Sequence, residues 1–122
     1  MPVVRIEYVR DASEGPPRET LAQELADGIG RVLGSADGTV WVRLRGLDRS
    51  GYAENGGGGA AFSPVFVEIL LRDFERGPGL DARTLDLARE LGRVLDRPAE
   101  YVHILYENPA RGRMAFGGVF GD

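Results

Sequence analysis

The side chains that usually carry chemistry are few in this 122-residue chain, and their types narrow the field. There is no cysteine, which removes disulfides, thiolate metal ligands and thiol nucleophiles. There is a single histidine, His103, so neither a multi-histidine metal site nor a two-histidine relay can be built within one chain. The glycine-rich stretch 55–59 lacks the Lys-Ser/Thr ending of a phosphate loop and opens no helix, so it reads as a flexible connection. Asp37 sits in Ala36-Asp37-Gly38, a good turn sequence because aspartate hydrogen-bonds to nearby backbone. Arg43 and Arg45 alternate with Val42 and Leu44, which suits a solvated strand face. The chemistry left open runs without a metal.

The elements that must position these groups follow from composition and periodicity. Hydrophobic residues make up 43% of the chain and charged residues 28%, enough for one compact domain with a core. Fifteen basic against nineteen acidic side chains give a net charge of −4, which argues against a nucleic-acid partner. No apolar stretch approaches the roughly 18 residues of a membrane span, and charges appear by Arg5 and Glu7, so no secretory signal is expected. The expectation is a soluble cytoplasmic protein with no membrane partner.

The sequence also matches itself at an offset of 62. Pro2-Val3 falls on Pro64-Val65, Arg10-Asp11 on Arg72-Asp73, and Gly30-Arg31-Val32-Leu33 on Gly92-Arg93-Val94-Leu95. Each half reads alike. Val4, Ile6 and Tyr8 alternate as a strand, and Val65 to Leu71 is a more continuous apolar strand. Leu21, Leu25, Ile29, Val32 and Leu33 follow helical spacing, as do Leu87, Leu91, Val94 and Leu95, with Asp81 a candidate N-cap. Val40 to Arg45 and Tyr101 to Tyr106 supply the second strands. The expected fold is α+β: one domain, residues 1–122, made of two β-α-β repeats at about 2–58 and 64–120. Its four-stranded sheet would carry both helices on one face. The other face would be apolar, which predicts an oligomer with sheets packed on one another.

A tandem β-α-β pair that begins Met-Pro and ends in a Gly-Gly turn resembles the tautomerase superfamily, above all the fused form of 4-oxalocrotonate tautomerase. The likeness covers nearly the whole chain and is strongest at Pro2-Val3-Val4-Arg5-Ile6 and in RPAEYVHILYENPARGRMAFGG, residues 97–118. It implies a cofactor-independent isomerase that removes its initiator Met1 and uses the freed secondary amine of Pro2 as general base. An α-amino group ordinarily titrates near 7.7–8.0; an apolar pocket and neighbouring arginines would lower that value toward a poised base. Pro64, the repeat mate, is internal and inert. The resemblance implies that Arg72, with Arg76 beyond it, binds the carboxylate of a small substrate through its guanidinium fork; read without the resemblance, Arg72 suits equally a surface ion pair with Asp73 or Glu75. Arg10 would face the silent pocket.

The same resemblance implies further site positions. Trp41, and His103 in the second half, stand where the short family enzyme has a substrate-polarising arginine. Met114 and Tyr52 align with the aromatic wall of the proline pocket. Two residues on stand Phe116 and Glu54, where hydratase relatives carry a water-activating carboxylate. Phe116 cannot activate water, which favours an enol–keto tautomerase over a hydratase or 3-haloacrylate dehalogenase; Glu54 keeps the hydratase reading open. The resemblance also admits a malonate-semialdehyde-type decarboxylase using Asp37, Arg72 and Arg76, and a catalytically silent oligomer. The fused family is usually trimeric, so a homotrimer is implied.

Overall fold

The computed structural model describes residues 2–58 and 62–121. Strand β1 (Val3–Val9) leads to helix α1 (Leu21–Leu33) and strand β2 (Trp41–Leu47); strand β3 (Val65–Leu70) leads to helix α2 (Pro78–Leu95) and strand β4 (Val102–Tyr106). A short hairpin, β5 (Ala115–Phe116) and β6 (Val119–Phe120), follows. The main sheet has the order β2-β1-β3-β4. Its outer pairs, β1 with β2 and β3 with β4, are parallel, as a helical crossover requires, and its central pair, β1 with β3, is antiparallel. The architecture is α+β, as the alternating periodicities of the sequence led one to expect.

One cluster forms the core. Val4, Ile6 and Tyr8 of β1 and Val65, Val67 and Ile69 of β3 point into it, together with Leu21, Leu25 and Ile29 of α1 and Leu87, Leu91 and Leu95 of α2. Both helices end on a left-handed residue, Gly34 and Asp96. Helix α2 opens on Pro78, whose missing N–H is no loss there. The N-cap is therefore Gly77. Asp81 lies in the first turn, paired with Arg76 at 3.2 Å.

Two expectations need correction. The outer face of the sheet is not an apolar plane. Arg5 meets Glu68 at 3.5 Å and Arg45 meets Glu7 at 3.9 Å across the strands, among Trp41, Phe66 and Leu105. The offset of 62 also fails in one element. Val3 pairs with Trp41, but His103, 62 residues beyond Trp41, pairs with Phe66 and not with Val65. Strand β3 has thus slipped one residue, and Pro64 falls one short of the place that Pro2 holds. The connection at 55–59 is in part ordered: Asn55–Gly57 form a tight turn with Gly56 and Gly57 at positive φ, while Gly59 lies outside the described residues. No described helix is long and apolar enough to cross a membrane.

Candidate active site

The neighbourhood of Pro2 is set by strand pairing. Pro2 is buried just ahead of β1, and its carbonyl accepts the Trp41 N–H at 3.0 Å. On the other side Val3 pairs with Leu70 in the antiparallel sense, so the chain leaves β3 through Leu71 and Arg72 beside the point where it enters β1. A third segment closes this end. Glu107 N–H donates to Ile69, Ala110 N–H to Leu71 (both 2.8 Å) and Arg111 N–H to the Arg72 carbonyl at 3.2 Å.

The charges at this end are unequally engaged. Arg111 grips the Asp73 carboxylate through Nε at 3.1 and 3.0 Å and through a terminal nitrogen. That hydrogen bond holds the Asp73 carboxyl below its ordinary value, and the positive charges of Arg111 and Arg72 act in the same direction. The exposed Arg72 guanidinium, by contrast, has no ion-pair or hydrogen-bond partner among the described residues. A guanidinium with its fork unfilled can take a carboxylate with two parallel bonds.

Apolar groups stand on the β2 side. The Trp41 indole N–H donates to the Gly38 carbonyl at 3.0 Å, and its ring meets Phe116 edge-on, with centroids 5.6 Å apart. Phe116 is held by the β5–β6 hairpin, where Gly121 N–H donates to the Met114 carbonyl at 3.2 Å. A Cβ on Gly121 would come within 3.1 Å of the Phe116 ring, so the glycine permits this close approach. Asp37, Trp41 and Val40 line a cleft of about 890 Å³ between α1 and β2.

Pro2, Arg72, Trp41, Phe116 and the Met114 hairpin thus gather at one end of the sheet. Tyr52 and His103 do not. Both pack against Phe66, at 5.9 and 5.8 Å, and Phe66 pairs with Glu7, four residues along β1 from Val3. At ~3.3 Å per residue that is about 13 Å away. The Tyr52 hydroxyl donates to Glu54 at 2.6 Å, and that bond pushes the phenol above its ordinary value. Arg76 is also apart, paired with Asp81 beside a cleft of about 520 Å³ between α2 and β4.

The likeness to solved structures runs nearly the whole length of the chain. No family model matches it, and no curated protein is significantly similar. Among solved structures it is similar to a fused 4-OT wild-type symmetric trimer, with 16% identity over 97% of this chain and 94% of that one at a TM-score of 0.75. It is also similar to Pt0534 inactivated by 2-oxo-3-pentynoate (18% identity, 96% and 94% covered, TM-score 0.72). A macrophage migration inhibitory factor homologue from Prochlorococcus marinus matches with 20% identity over 96% of each chain, at a TM-score of 0.67. The chain has the tautomerase fold.

On this tautomerase fold, three groups carry interactions that sequence reading did not single out. Asp73 and Arg111 form the pair beside Arg72. Arg97, only 5% exposed, ties the opposite end: it donates to the carbonyls of Ser63 (2.9 Å), Leu95 (2.7 Å) and Val9 (2.8 Å) and to Glu14 (2.7 Å). Its one signal in the sequence is indirect, an arginine directly before a proline at the expected close of a helix. Asp73 and Arg111 stand 62 residues beyond Asp11 and Arg49, which face each other at 3.8 Å, so the repeat carries over the pair only once the structure has shown the first.

Proposed function

We propose that this chain is a cofactor-independent enol–keto tautomerase acting on small 2-hydroxy-dienoates or similar enol carboxylates. Its general base is the secondary amine of Pro2, freed by removal of Met1. The observation that carries the reading is Arg72, a guanidinium without a partner among the described residues, leaving β3 beside the buried Pro2 just ahead of β1. A cation so disposed anchors a substrate carboxylate and draws electron density away from the enol. The amine takes the hydroxyl proton and returns a proton to carbon, which gives the conjugated ketone. Burial disfavours the ammonium form and keeps the amine available near neutral pH. Trp41, Phe116 and Met114 form an apolar wall that keeps water from the amine.

The same reading takes the chain as one domain of two β-α-β repeats working in the cytoplasm as a homotrimer. Tyr52 and His103, distant from Pro2 within one chain, then complete the wall from a neighbouring copy, and Arg76 assists Arg72 once its bond to Asp81 opens. A second reading, a malonate-semialdehyde-type decarboxylase with the same proline, is favoured by one observation: Asp37 lines the same cleft as Trp41. Glu54, turned toward Tyr52, gives a hydratase no comparable support.

The test is phenylenolpyruvate ketonisation by protein whose amino terminus has been verified by intact mass. Processed wild type converts the enol, and Pro2→Ala abolishes conversion. Equal rates for the two, or full activity with Met1 retained, would reject the amine as base, because a proline nitrogen within a peptide bond has no basicity. Product analysis with a 3-oxo acid and a 3-haloacrylate separates tautomerase from decarboxylase and dehalogenase.

A further inference from the structure

Arg72 and Arg10 stand 62 residues apart in sequence, each just beyond the end of a central strand and each followed by an aspartate. Their fates differ. Arg10 is consumed, since its guanidinium is bound by Asp48. The residue 62 beyond Asp48 is Ala110, buried and without charge, so the place equivalent to Asp48 offers Arg72 no carboxylate. A carboxylate that could occupy Arg72 is its own neighbour. Asp73 is adjacent in sequence and exposed, and the field of Arg72 is felt at its carboxylate.

Arg111 takes up that carboxylate by geometry. Its backbone N–H is fastened to the Arg72 carbonyl at 3.2 Å, and the neighbouring Ala110 N–H to Leu71 at 2.8 Å, so the base of the Arg111 side chain is fixed beside residue 72. Its guanidinium then closes on both oxygens of Asp73. A carboxylate held by one fork has its lone-pair directions filled on that side and its charge neutralised, and it competes poorly for a second guanidinium.

We propose that Arg111 is a positioning residue: by sequestering Asp73 it keeps the Arg72 guanidinium open for the substrate carboxylate. The pair touches no reacting atom. Its effect falls on binding of the anionic end of the substrate and not on the proton transfer. The proposal rests on the reading of Arg72 as the carboxylate anchor.

The experiment compares KM and kcat for phenylenolpyruvate and for its methyl ester, which lacks the anion. Arg111→Ala releases Asp73 to hold Arg72, and KM for the acid rises about fivefold, the most that an exposed ion pair of up to ~1 kcal/mol supplies. The kcat and the constants for the ester stay near those of wild type. Adding Asp73→Asn to Arg111→Ala restores KM for the acid to within about twofold, and Arg111→Lys retains most of the effect because its ammonium still engages Asp73. A merely structural role predicts the opposite, a double variant no better than the single one. Arg111→Gln replaces the alanine variant if the latter does not fold. Arg72→Ala is the internal reference. If it raises KM for the acid while Arg111→Ala and Arg111→Gln do not, the positioning role is overturned and the anchor stands. Failure of Asp73→Asn to rescue overturns it equally. If Arg72→Ala itself leaves KM unchanged, the anchor reading fails and the positioning role falls with it.

Discussion

Replacing Arg97 by methionine tests how the sheet is closed at the end away from Pro2. The arginine side chain is 1% exposed and passes over the Tyr8 ring, 5.8 Å from its centroid. It reaches three main-chain carbonyls that belong to three separate segments: Val9 at the end of β1, Ser63 ahead of β3, and Leu95 at the end of α2. Methionine matches much of the volume but supplies no donor, so it isolates hydrogen bonding from packing. Each carbonyl left without a donor in a dry site costs on the order of 1–3 kcal/mol. The Glu14 partner is one-third exposed and regains water when released, so it adds little. Some water enters from the Glu14 side and recovers part of the loss. A net destabilisation of about 4 kcal/mol is expected, within the range for breaking a buried ionic network. At this chain length that corresponds to a fall in Tm of about 15 °C.

Urea unfolding at one fixed chain concentration is the assay, because any assembly would couple stability to concentration. Arg97→Ala, which adds a cavity, should lose at least as much as Arg97→Met. A loss below ~1 kcal/mol for the methionine variant would show that the carbonyls find other partners, and the reasoning would be wrong. Lysine is no substitute, because one ammonium on a flexible stem cannot meet three diverging carbonyls and a carboxylate at once. The knot lies at the far end of β1 from Pro2, so turnover per folded chain should be kept.

Two further outcomes follow from local geometry. A Cβ on Gly92 would lie 2.4 Å from the Arg97 carbonyl oxygen, and that backbone cannot yield while the Arg97 N–H caps α2 at the Gly92 carbonyl (2.8 Å); Gly92→Ala should cost about 2 kcal/mol in the same urea experiment despite the better helix propensity of alanine. Hydrogen bonds from Arg18 and Thr20 hold the Glu24 carboxyl at about 2, below its ordinary 4.5, so this group contributes stability above pH 4.5 that is lost as pH falls toward 2; an NMR titration should find it there, and Arg18→Ala should return it toward the ordinary value.

Much of this fold is legible in the sequence, and the parts that are not share a cause. The helices read correctly because one face of apolar residues at 3.6-residue spacing fixes both the element and its buried side: Leu25 and Ile29, Leu87 and Leu91 are all fully buried. The ends of the helices also keep the 62-residue offset. Ser35 and Arg97 each donate an N–H to the glycine five residues back, Gly30 and Gly92. Of the site, the gathering of Pro2, Trp41, Arg72 and Phe116 at one end can be read from strand order and the hairpin. Arg97 and the Asp73–Arg111 pair cannot, because each joins segments far apart in the chain, and periodicity carries no information about which arginine meets which carboxylate. Tyr52 and His103 follow from position within a motif, and position in a motif does not say which of two like pockets, at opposite ends of one sheet, a residue lines.

Strand β3 shows why a repeat can be read correctly and still mislead at a site. In VFVEIL both phases carry apolar residues, so alternation alone does not choose the inward face. The self-match at 62 would set Phe66 in the place of Val4 and Glu68 in that of Ile6, both fully buried positions. An unpaired carboxylate there would cost far more than any backbone adjustment. The slip of one residue turns the strand over. Val65, Val67 and Ile69 enter the core, and Glu68 emerges on the outer face against Arg5. The one charged residue of the strand thus favours the observed register, and the register decides the site. With β3 shifted, Val3 stands opposite Leu70, and Arg72 leaves the sheet beside Pro2 with its guanidinium unpaired among the described residues, whereas Arg10 at the other end falls within reach of Asp48. Glu68→Leu would remove the charge that forbids the unslipped register. If that charge sets the phase, the variant should populate a second conformer in which Phe66 is buried, visible as doubled amide resonances along β3. A single set of resonances at unchanged positions would mean that the central pairing of β1 with β3 fixes the register by itself.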